Sequence, residues 1–141
     1  MSAAAATGRA PDSSIAIAAL LSDHTAFQAA SEALTTCTTT IGHVAAETYS
    51  VLTRLPPPHR TDAATAAEAL ARRLPRTHVT LQASGYQGAP ARLAEAGVSG
   101  GATYDGLIAL TALEHNLELL SRDQRAARTY QALGARFRLI G

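Results

Sequence analysis

The stretch GGATYDGLIALTALEHNLELLSRDQRAARTY, Gly100–Tyr130, decides the class of fold. Its pattern predicts an apolar helix from about Thr103 to His115, then the short strand LELL, and then a second helix from Gln124 to Leu133. Two carboxylates hold unusual positions, since Asp105 opens the apolar helix and Asp123 follows the strand. Buried or crowded carboxylates are unfavourable unless something compensates them. The stretch therefore predicts a strand between helices and raises the question of what the two acids bind.

The sequence on either side repeats this alternation of helices and strands. Helices are predicted over 13–21, 25–34, 42–55, 60–74 and 88–97, and strands over 35–41, 77–81 and 136–140. Strands separated by helices imply right-handed crossovers between parallel neighbours. We therefore predict a three-layer α/β domain with a central, mainly parallel sheet flanked by helices.

Composition narrows the classes of function. The chain has 141 residues, 47% hydrophobic residues and a net charge of +1, which fit one globular domain and leave nucleic-acid binding open. All twelve basic residues are Arg, so mechanisms that need a phosphate-binding or Schiff-base lysine are excluded. A single cysteine, Cys37, cannot form an internal disulfide. With no signal peptide and no apolar run long enough to span a bilayer, we expect a cytoplasmic protein.

Four acidic residues are candidates for one site. Asp12 precedes the first helix and Asp123 follows a strand, and such junctions meet at the carboxyl edge of a parallel sheet. Asp12, Asp105 and Asp123 could each be helix-start residues favoured by capping and by the helix dipole. Glu47 resists that interpretation because it shares an apolar helix face with Val44. It needs a cation or strong hydrogen-bond donors.

Converging carboxylates without a countercharge would repel one another, and some would take up protons. A hard divalent ion resolves the repulsion, since Mg²⁺ and Mn²⁺ prefer oxygen ligands and keep several waters. Such an ion can generate a hydroxide nucleophile and offset charge on a phosphoryl group. Metal-dependent hydrolysis of phosphodiesters is the leading use of this pattern.

Other side chains near the acids leave alternatives open. The arginines that surround Asp123 either cover a solvated helix face or contact phosphate. Tyr49 and Tyr104 neighbour the acids, and we expect both to be packed in the core. The five histidines show no zinc spacing, although His43 is close enough for a supporting role. With no Trp and few other aromatic residues, binding of single strands by stacking is disfavoured as the main function.

Three blocks of sequence resemble successive motifs of the PIN domain and, more narrowly, of VapC-type toxins from type II toxin–antitoxin modules. They are PDSSIAIAALLSDHTAF, GHVAAETYSVLTRLP and GVSGGATYDGLIALTALEHNLELLSRDQRAARTYQALG. The resemblance runs from about Asp12 to the C-terminus, with 59–96 similar in layout only. The third block is the most specific of the three.

The resemblance implies a PIN fold and a Mg²⁺- or Mn²⁺-dependent endoribonuclease that cleaves cellular RNA. It also implies a homodimer, and a VapB-like antitoxin that blocks the site. The acidic quartet of the family falls on Asp12, Glu47, Asp105 and Asp123, of which Asp12, Asp105 and Asp123 are the expected metal ligands. Ser14 and Ser121 match hydroxyl positions of the family and, with Arg122, are expected to contact water or substrate.

The resemblance also sets the predicted domain boundaries. Residues 1–10 form an alanine-rich N-terminal segment, and 11–141 a single PIN domain. We expect a first strand that is short, irregular or displaced, because Pro11 cannot donate a hydrogen bond to a ladder. Two alternatives stay open: a PIN-fold binding module with weak or lost catalysis that acts through antitoxin or RNA, and a nuclease directed at DNA.

Overall fold

A computed structural model describes residues 5–141, in which helices and strands alternate as predicted. The strands are β1 (Gly8–Pro11), β2 (Thr40–Ile41), β3 (His78–Val79), β4 (Leu117–Ser121) and β5 (Phe137–Leu139). The helices are α1 (Ser13–Leu20), α2 (Phe27–Thr35), α3 (Gly42–Arg54), α4 (Ala63–Arg73), α5 (Ala83–Glu95), α6 (Ala102–Glu114) and α7 (Gln124–Leu133). Within these residues every helix is too short or too polar to span a bilayer.

The strands form a parallel sheet in two hydrogen-bonded parts. β1, β4 and β5 pair in the order β1-β4-β5, and β2 pairs with β3. The parts adjoin because the N–H groups of Thr38 and Thr39 both donate to the Arg9 carbonyl of β1. The order across the molecule is therefore β3-β2-β1-β4-β5, with β1 at the centre. The prediction of a three-layer α/β domain with a mainly parallel sheet is confirmed.

The first strand is short, which is one of the three alternatives expected, and its pairing is regular. β1 keeps an unbroken parallel register with β4, from Gly8 opposite Leu117 to Pro11 opposite Leu120. The N–H of Asp12 donates to the Leu120 carbonyl, so the nitrogen of Pro11 faces away from β4 and its missing hydrogen costs no ladder bond. β1 lies partly in the predicted N-terminal segment, of which residues 1–4 are outside the described residues.

The core holds the two helices that carry the central acids. Four residues of α1 are fully buried, namely Ile15, Ala16, Ala18 and Ala19, which allows α2 and α3 to pack closely on it. α6 is buried along most of its length and packs against α5 and α7. Both helices point their N-terminal ends toward one edge of the sheet, and this fixes the positions of Asp12 and Asp105.

Candidate active site

A cleft of about 660 Å³ opens at the carboxyl ends of β1 and β4. Four elements that follow or face those ends, α1, α3, α6 and α7, supply its walls. All four predicted carboxylates line it, and so do serines, arginines and two rings: Asp12, Glu47, Asp105, Asp123, Ser13, Ser14, Ser50, Arg54, Arg125, His43 and Tyr104. The structure therefore brings the predicted acidic quartet together in one place.

Asp12 is the most deeply held of the four, with only 2% of the residue exposed. It caps α1, since its Oδ1 accepts hydrogen bonds from the Ser14 and Ile15 N–H groups at 3.0 and 3.3 Å. The Ser14 hydroxyl also donates to Oδ1 at 2.6 Å, and the buried Tyr130 hydroxyl donates to Oδ2 at 2.8 Å. Burial raises the pKa of Asp12, and these hydrogen bonds oppose the rise.

Two serine hydroxyls connect the ends of β1 and β4. Besides donating to Asp12, the Ser14 Oγ accepts the Arg122 N–H at 2.8 Å and lies 3.4 Å from the Ser121 Oγ. The Ser121 Oγ accepts the Asp123 N–H at 3.0 Å, and Ser121 is fully buried. The hydroxyl of Ser121 therefore fixes the backbone of Asp123 by this hydrogen bond, and Ser121 does not line the cleft.

Glu47 lies at the edge of the buried face of α3. Val44 on the same helix is fully buried, whereas a third (33%) of the Glu47 side chain is exposed. Its Oε1 accepts a hydrogen bond from the Ser13 hydroxyl at 2.8 Å, and its Oε2 lies 3.6 Å from the His43 Nε2. Glu47 thus has the nearby donors that an acid on a partly apolar face requires.

Asp105 has no such support. It lies in the first turn of α6, half-buried, and no group within residues 5–141 donates a hydrogen bond to it. The pKa of Asp105 rises from 3.8 to about 6, first because of burial and then because of repulsion from Glu47, Asp123 and Asp12. The uncompensated negative charge of the cleft is therefore concentrated at Asp105.

Asp123 combines the two roles that the sequence left open. Its Oδ1 caps α7 by accepting the Arg125 and Ala126 N–H groups at 2.9 and 3.3 Å. Its Oδ2 accepts no hydrogen bond from residues 5–141, and the residue is exposed to the cleft. One oxygen serves the helix while the other is available to a ligand.

The donor set fits a hard divalent cation. It consists of carboxylate oxygens that repel one another, which is the chemistry that Mg²⁺ and Mn²⁺ compensate best. Within residues 5–141, no three His, Cys, Asp or Glu side chains are arranged to hold one ion together. The spacing therefore suits an ion that binds one or two carboxylates directly and reaches the others through water.

The rim of the cleft carries residues that the sequence analysis placed elsewhere or did not single out. Arg54 and Arg125 line it, whereas Arg122 does not, and the Arg122 Nε is buried without a hydrogen-bond partner in the described residues. Tyr104 and Tyr49 are 57% and 38% exposed, so the expectation that both pack in the core was wrong. Tyr104 instead lies on the surface beside the acids.

Helix periodicity could have identified one of the missed residues. Arg54 follows Glu47 by seven positions on α3. Seven positions are about two turns, so the two residues share a helix face. Tyr130 is fully buried and meets Asp12 only through the fold, so no local pattern identifies it.

Comparison with known proteins agrees with this architecture. A family model for the PIN domain matches residues 10–132, a span that includes all four carboxylates. The chain belongs to the PIN domain family. It is 43% identical to Ribonuclease VapC40 of Mycobacterium tuberculosis over 131 residues, which are 93% of this chain and 98% of that protein. It is 42% identical to Ribonuclease VapC27 of the same organism over 130 residues, 89% of this chain and 91% of that protein. The prediction of a VapC-type PIN domain is confirmed.

Proposed function

We propose that this PIN-domain protein is a Mg²⁺- or Mn²⁺-dependent endoribonuclease, the toxin of a type II toxin–antitoxin module. The observation that carries the proposal is the convergence of four carboxylates on one cleft, with the pKa of Asp105 raised to about 6. Such a cluster needs a cation, and divalent-ion hydrolysis of phosphodiesters is the chemistry it suits. The two VapC relatives, both named as ribonucleases, support RNA as the substrate.

The side chains of the cleft have different roles in the proposed reaction. When bound, the metal ion supplies an activated water and offsets negative charge on the phosphoryl group. Asp12, Asp105 and Asp123 would hold the ion, one or two of them directly and the rest through water. Hydrogen bonds to both oxygens of Asp12 fix its carboxylate before the ion binds. Glu47, anchored by the Ser13 hydroxyl, orients a water in the cleft. Preorganised groups of this kind need little rearrangement during the reaction.

The arginines of the cleft bind the RNA backbone. Arg54 and Arg125 line the same cavity as the acids, and guanidinium groups bind phosphate oxygens bidentately. They offset the repulsion between the carboxylates and the polyanionic substrate. Ser14 stays a predicted contact of water, since its hydroxyl faces the cleft while it supports Asp12.

The test is cleavage of a labelled RNA by the purified protein with Mg²⁺, with Mn²⁺ and with EDTA. Cleavage should require either metal and disappear in the chelator. Asp105→Asn and Asp123→Asn should each abolish it, because Asn removes the charge that binds the ion while keeping the volume and capping ability of Asp. Glu95→Gln is the matched control, because Glu95 is exposed on α5 and does not line the cleft. Cleavage that persists in EDTA or in both Asn variants would contradict the metal site.

One observation favours the alternative of a binding module with weak or lost catalysis. Both oxygens of Asp12 already accept hydrogen bonds from protein groups, so it has less capacity left for an ion. That function predicts RNA binding without metal-dependent cleavage in the same assay. A DNA strand of the same sequence tests the nuclease directed at DNA, which would cleave DNA at least as fast as RNA.

We propose a VapB-like antitoxin as the partner, a homodimer as the assembly and the cytoplasm as the compartment. The unpaired carboxylate of Asp105 offers a site for a basic side chain of an antitoxin, which would block the ion and the substrate together. Co-expression with a VapB-like protein encoded next to this chain should give a stable complex and relieve growth arrest. If the protein is harmless alone and forms no such complex, the toxin assignment fails while the PIN fold stands.

A further inference from the structure

Tyr104 holds a position at the cleft that capping, core packing and metal binding do not explain. It directly precedes Asp105 in the first turn of α6, and 57% of it is exposed. The His43 ring stacks on it with ring centroids 5.8 Å apart and an angle of 1° between the planes. His43 thus packs against the tyrosine ring in a parallel, laterally offset stack, and much of the ring is open to solvent.

The surroundings of this ring match the parts of a nucleotide. Asp105 and the other acids lie next to it, and Arg54 and Arg125 line the same cleft. No ion pair within residues 5–141 involves either arginine, so both guanidinium groups can approach phosphates. An aromatic face beside phosphate-binding cations is the combination that binds unpaired bases.

We propose that Tyr104, braced by His43, is a stacking platform for one unpaired nucleobase beside the phosphate that is cleaved. This rests on the proposed function, since it assigns a substrate-positioning residue to that same site. A base inside a duplex is stacked on its neighbours and cannot lie on a protein ring, whereas a base in a loop or a free strand can.

The proposal agrees with the scarcity of aromatic residues in the sequence. A protein that binds long single strands by stacking needs several rings in a row, and this cleft has one tyrosine at its rim. One platform places one base, and so it sets the position of the strand relative to the carboxylates. The arginines then supply the affinity for the rest of the strand. Because they contact phosphates, this affinity should fall as the salt concentration rises.

A binding assay without metal tests the platform independently of catalysis. The probe is a short fluorescein-labelled single-stranded RNA of mixed sequence in EDTA, measured by fluorescence anisotropy against its fully paired duplex. Tyr104→Ala should weaken binding of the single strand about fivefold or more, whereas Tyr104→Phe should stay within about twofold because it keeps the ring. The wild-type protein should bind the duplex more weakly than the single strand.

Tyr86→Ala is the matched control, since Tyr86 is an exposed tyrosine (48%) on α5 that does not line the cleft. It should bind as the wild type does. Equal binding by Tyr104→Ala and the wild type would overturn the platform. So would an equal loss in Tyr104→Phe and Tyr104→Ala, which would assign the effect to the hydroxyl group, and so would a preference for the duplex.

Abasic RNAs keep the test decisive even if a variant folds poorly. Replacing the bases one at a time by an abasic site should weaken binding to the wild-type protein at one position, and that effect should be absent in Tyr104→Ala. In the cleavage assay with Mg²⁺, Tyr104→Ala should raise KM more than it lowers kcat. This binding pattern without any cleavage would retain the platform and reject the enzyme. Cleavage by a protein whose binding ignores Tyr104 would do the reverse.

Discussion

Asp105 differs from the two other aspartates of the cleft because it does not cap a helix. Asp12 and Asp123 each cap a helix, so their conformations are fixed by backbone N–H groups. Asp105 accepts no hydrogen bond within residues 5–141, and its neighbours repel it. A carboxylate in a cleft whose pKa is raised by burial and by like charges is a candidate ligand-binding residue.

The first prediction concerns the stability of metal-free protein as a function of pH. Because the pKa of Asp105 is about 6 in the folded protein and 3.8 ordinarily, the folded state binds more protons between these values. The contribution of Asp105 to the free energy of unfolding should therefore fall as pH rises from 4 to 6 and then level off, by about 1–2 kcal/mol once partial exposure is allowed for. Asp105→Asn should remove this contribution, so that the variant exceeds the wild type at pH 7 and equals it near pH 4.

Urea unfolding in EDTA at several pH values measures this effect. The control is Asp62→Asn, because the pKa of Asp62 is lowered, first by the hydrogen bond from the Thr65 N–H. The contribution of Asp62 to the free energy of unfolding has the opposite sign, because a lowered pKa gives stability that is present at neutral pH and is lost as pH falls. An Asp105→Asn variant that stays less stable than the wild type at pH 7 would show that the carboxylate has a structural partner.

The second prediction concerns the hydroxyl of Tyr130, which donates to the Asp12 Oδ2 inside the core. Tyr130→Phe leaves one oxygen of a buried carboxylate without its donor, and should lower the free energy of unfolding by about 1–3 kcal/mol. Tyr86→Phe is the control, since Tyr86 is exposed. The loss should shrink in an Asp12→Asn background if the two groups interact as described. An unchanged Tyr130→Phe protein would contradict this support for Asp12.

At the residue scale, the sequence identified the acids but not the groups that hold them. Asp12, Glu47, Asp105 and Asp123 were recognisable from their places at helix starts and on an apolar face, and all four line the cleft. Tyr130 and Ser121 were not recognisable as supports, because their contacts with the ends of β1 and β4 join segments about a hundred positions apart. Such partners follow from the fold and leave no local pattern.

At the scale of elements, the sequence predicted the bounds of helices and strands well where the hydrophobic pattern extended over a long segment. α6, β4 and α7 begin and end within a residue or two of the predicted bounds. α5 begins at Ala83, not at Gly88, because the Glu114 carboxylate accepts the Gln82 N–H at 3.0 Å and so anchors the start of the helix. The predicted strand over 35–41 shrinks to Thr40–Ile41 because α2 continues to Thr35, and the Thr36 and Cys37 N–H groups then donate to helix carbonyls and not to a neighbouring strand.

The third prediction uses two glycines of adjacent helices that differ in packing. A Cβ at Gly88 on α5 would meet nothing within 4 Å, so Gly88→Ala should raise the free energy of unfolding by about 0.5–1 kcal/mol through helix propensity. A Cβ at Gly106 on α6 would collide with the Leu93 side chain of α5. Because overpacking commonly costs about 1–3 kcal/mol, Gly106→Ala should be destabilising despite the same gain in propensity. Thermal unfolding of both variants measures the signs, and equal signs would contradict the close approach of α5 and α6.

At the scale of the whole molecule, the proposed metal ion would couple its binding at the cleft to folding. The chain joins α1, α3, α6 and α7 around four carboxylates, so that the folded state bears a repulsion that the unfolded chain lacks. An ion that relieves the repulsion binds the folded state preferentially, and it therefore stabilises the whole domain. The sequence alone indicated such an ion. The size of the stabilisation depends on the distances between the carboxylates, which only the fold determines.

The last prediction is that Mg²⁺ raises the Tm, and does so more at pH 8 than at pH 5. At a Mg²⁺ concentration a hundredfold above Kd the gain is about 2.7 kcal/mol, or roughly 8 °C for a domain of this size. At pH 5 the ion must displace the proton that Asp105 holds with its pKa of about 6, so the same concentration should give a smaller shift. Differential scanning fluorimetry with ionic strength held constant by NaCl measures both shifts. Asp105→Asn should abolish most of the shift at pH 8, while Glu95→Gln should keep it. A shift that is independent of pH, or one that survives in Asp105→Asn, would place the ion away from this cleft.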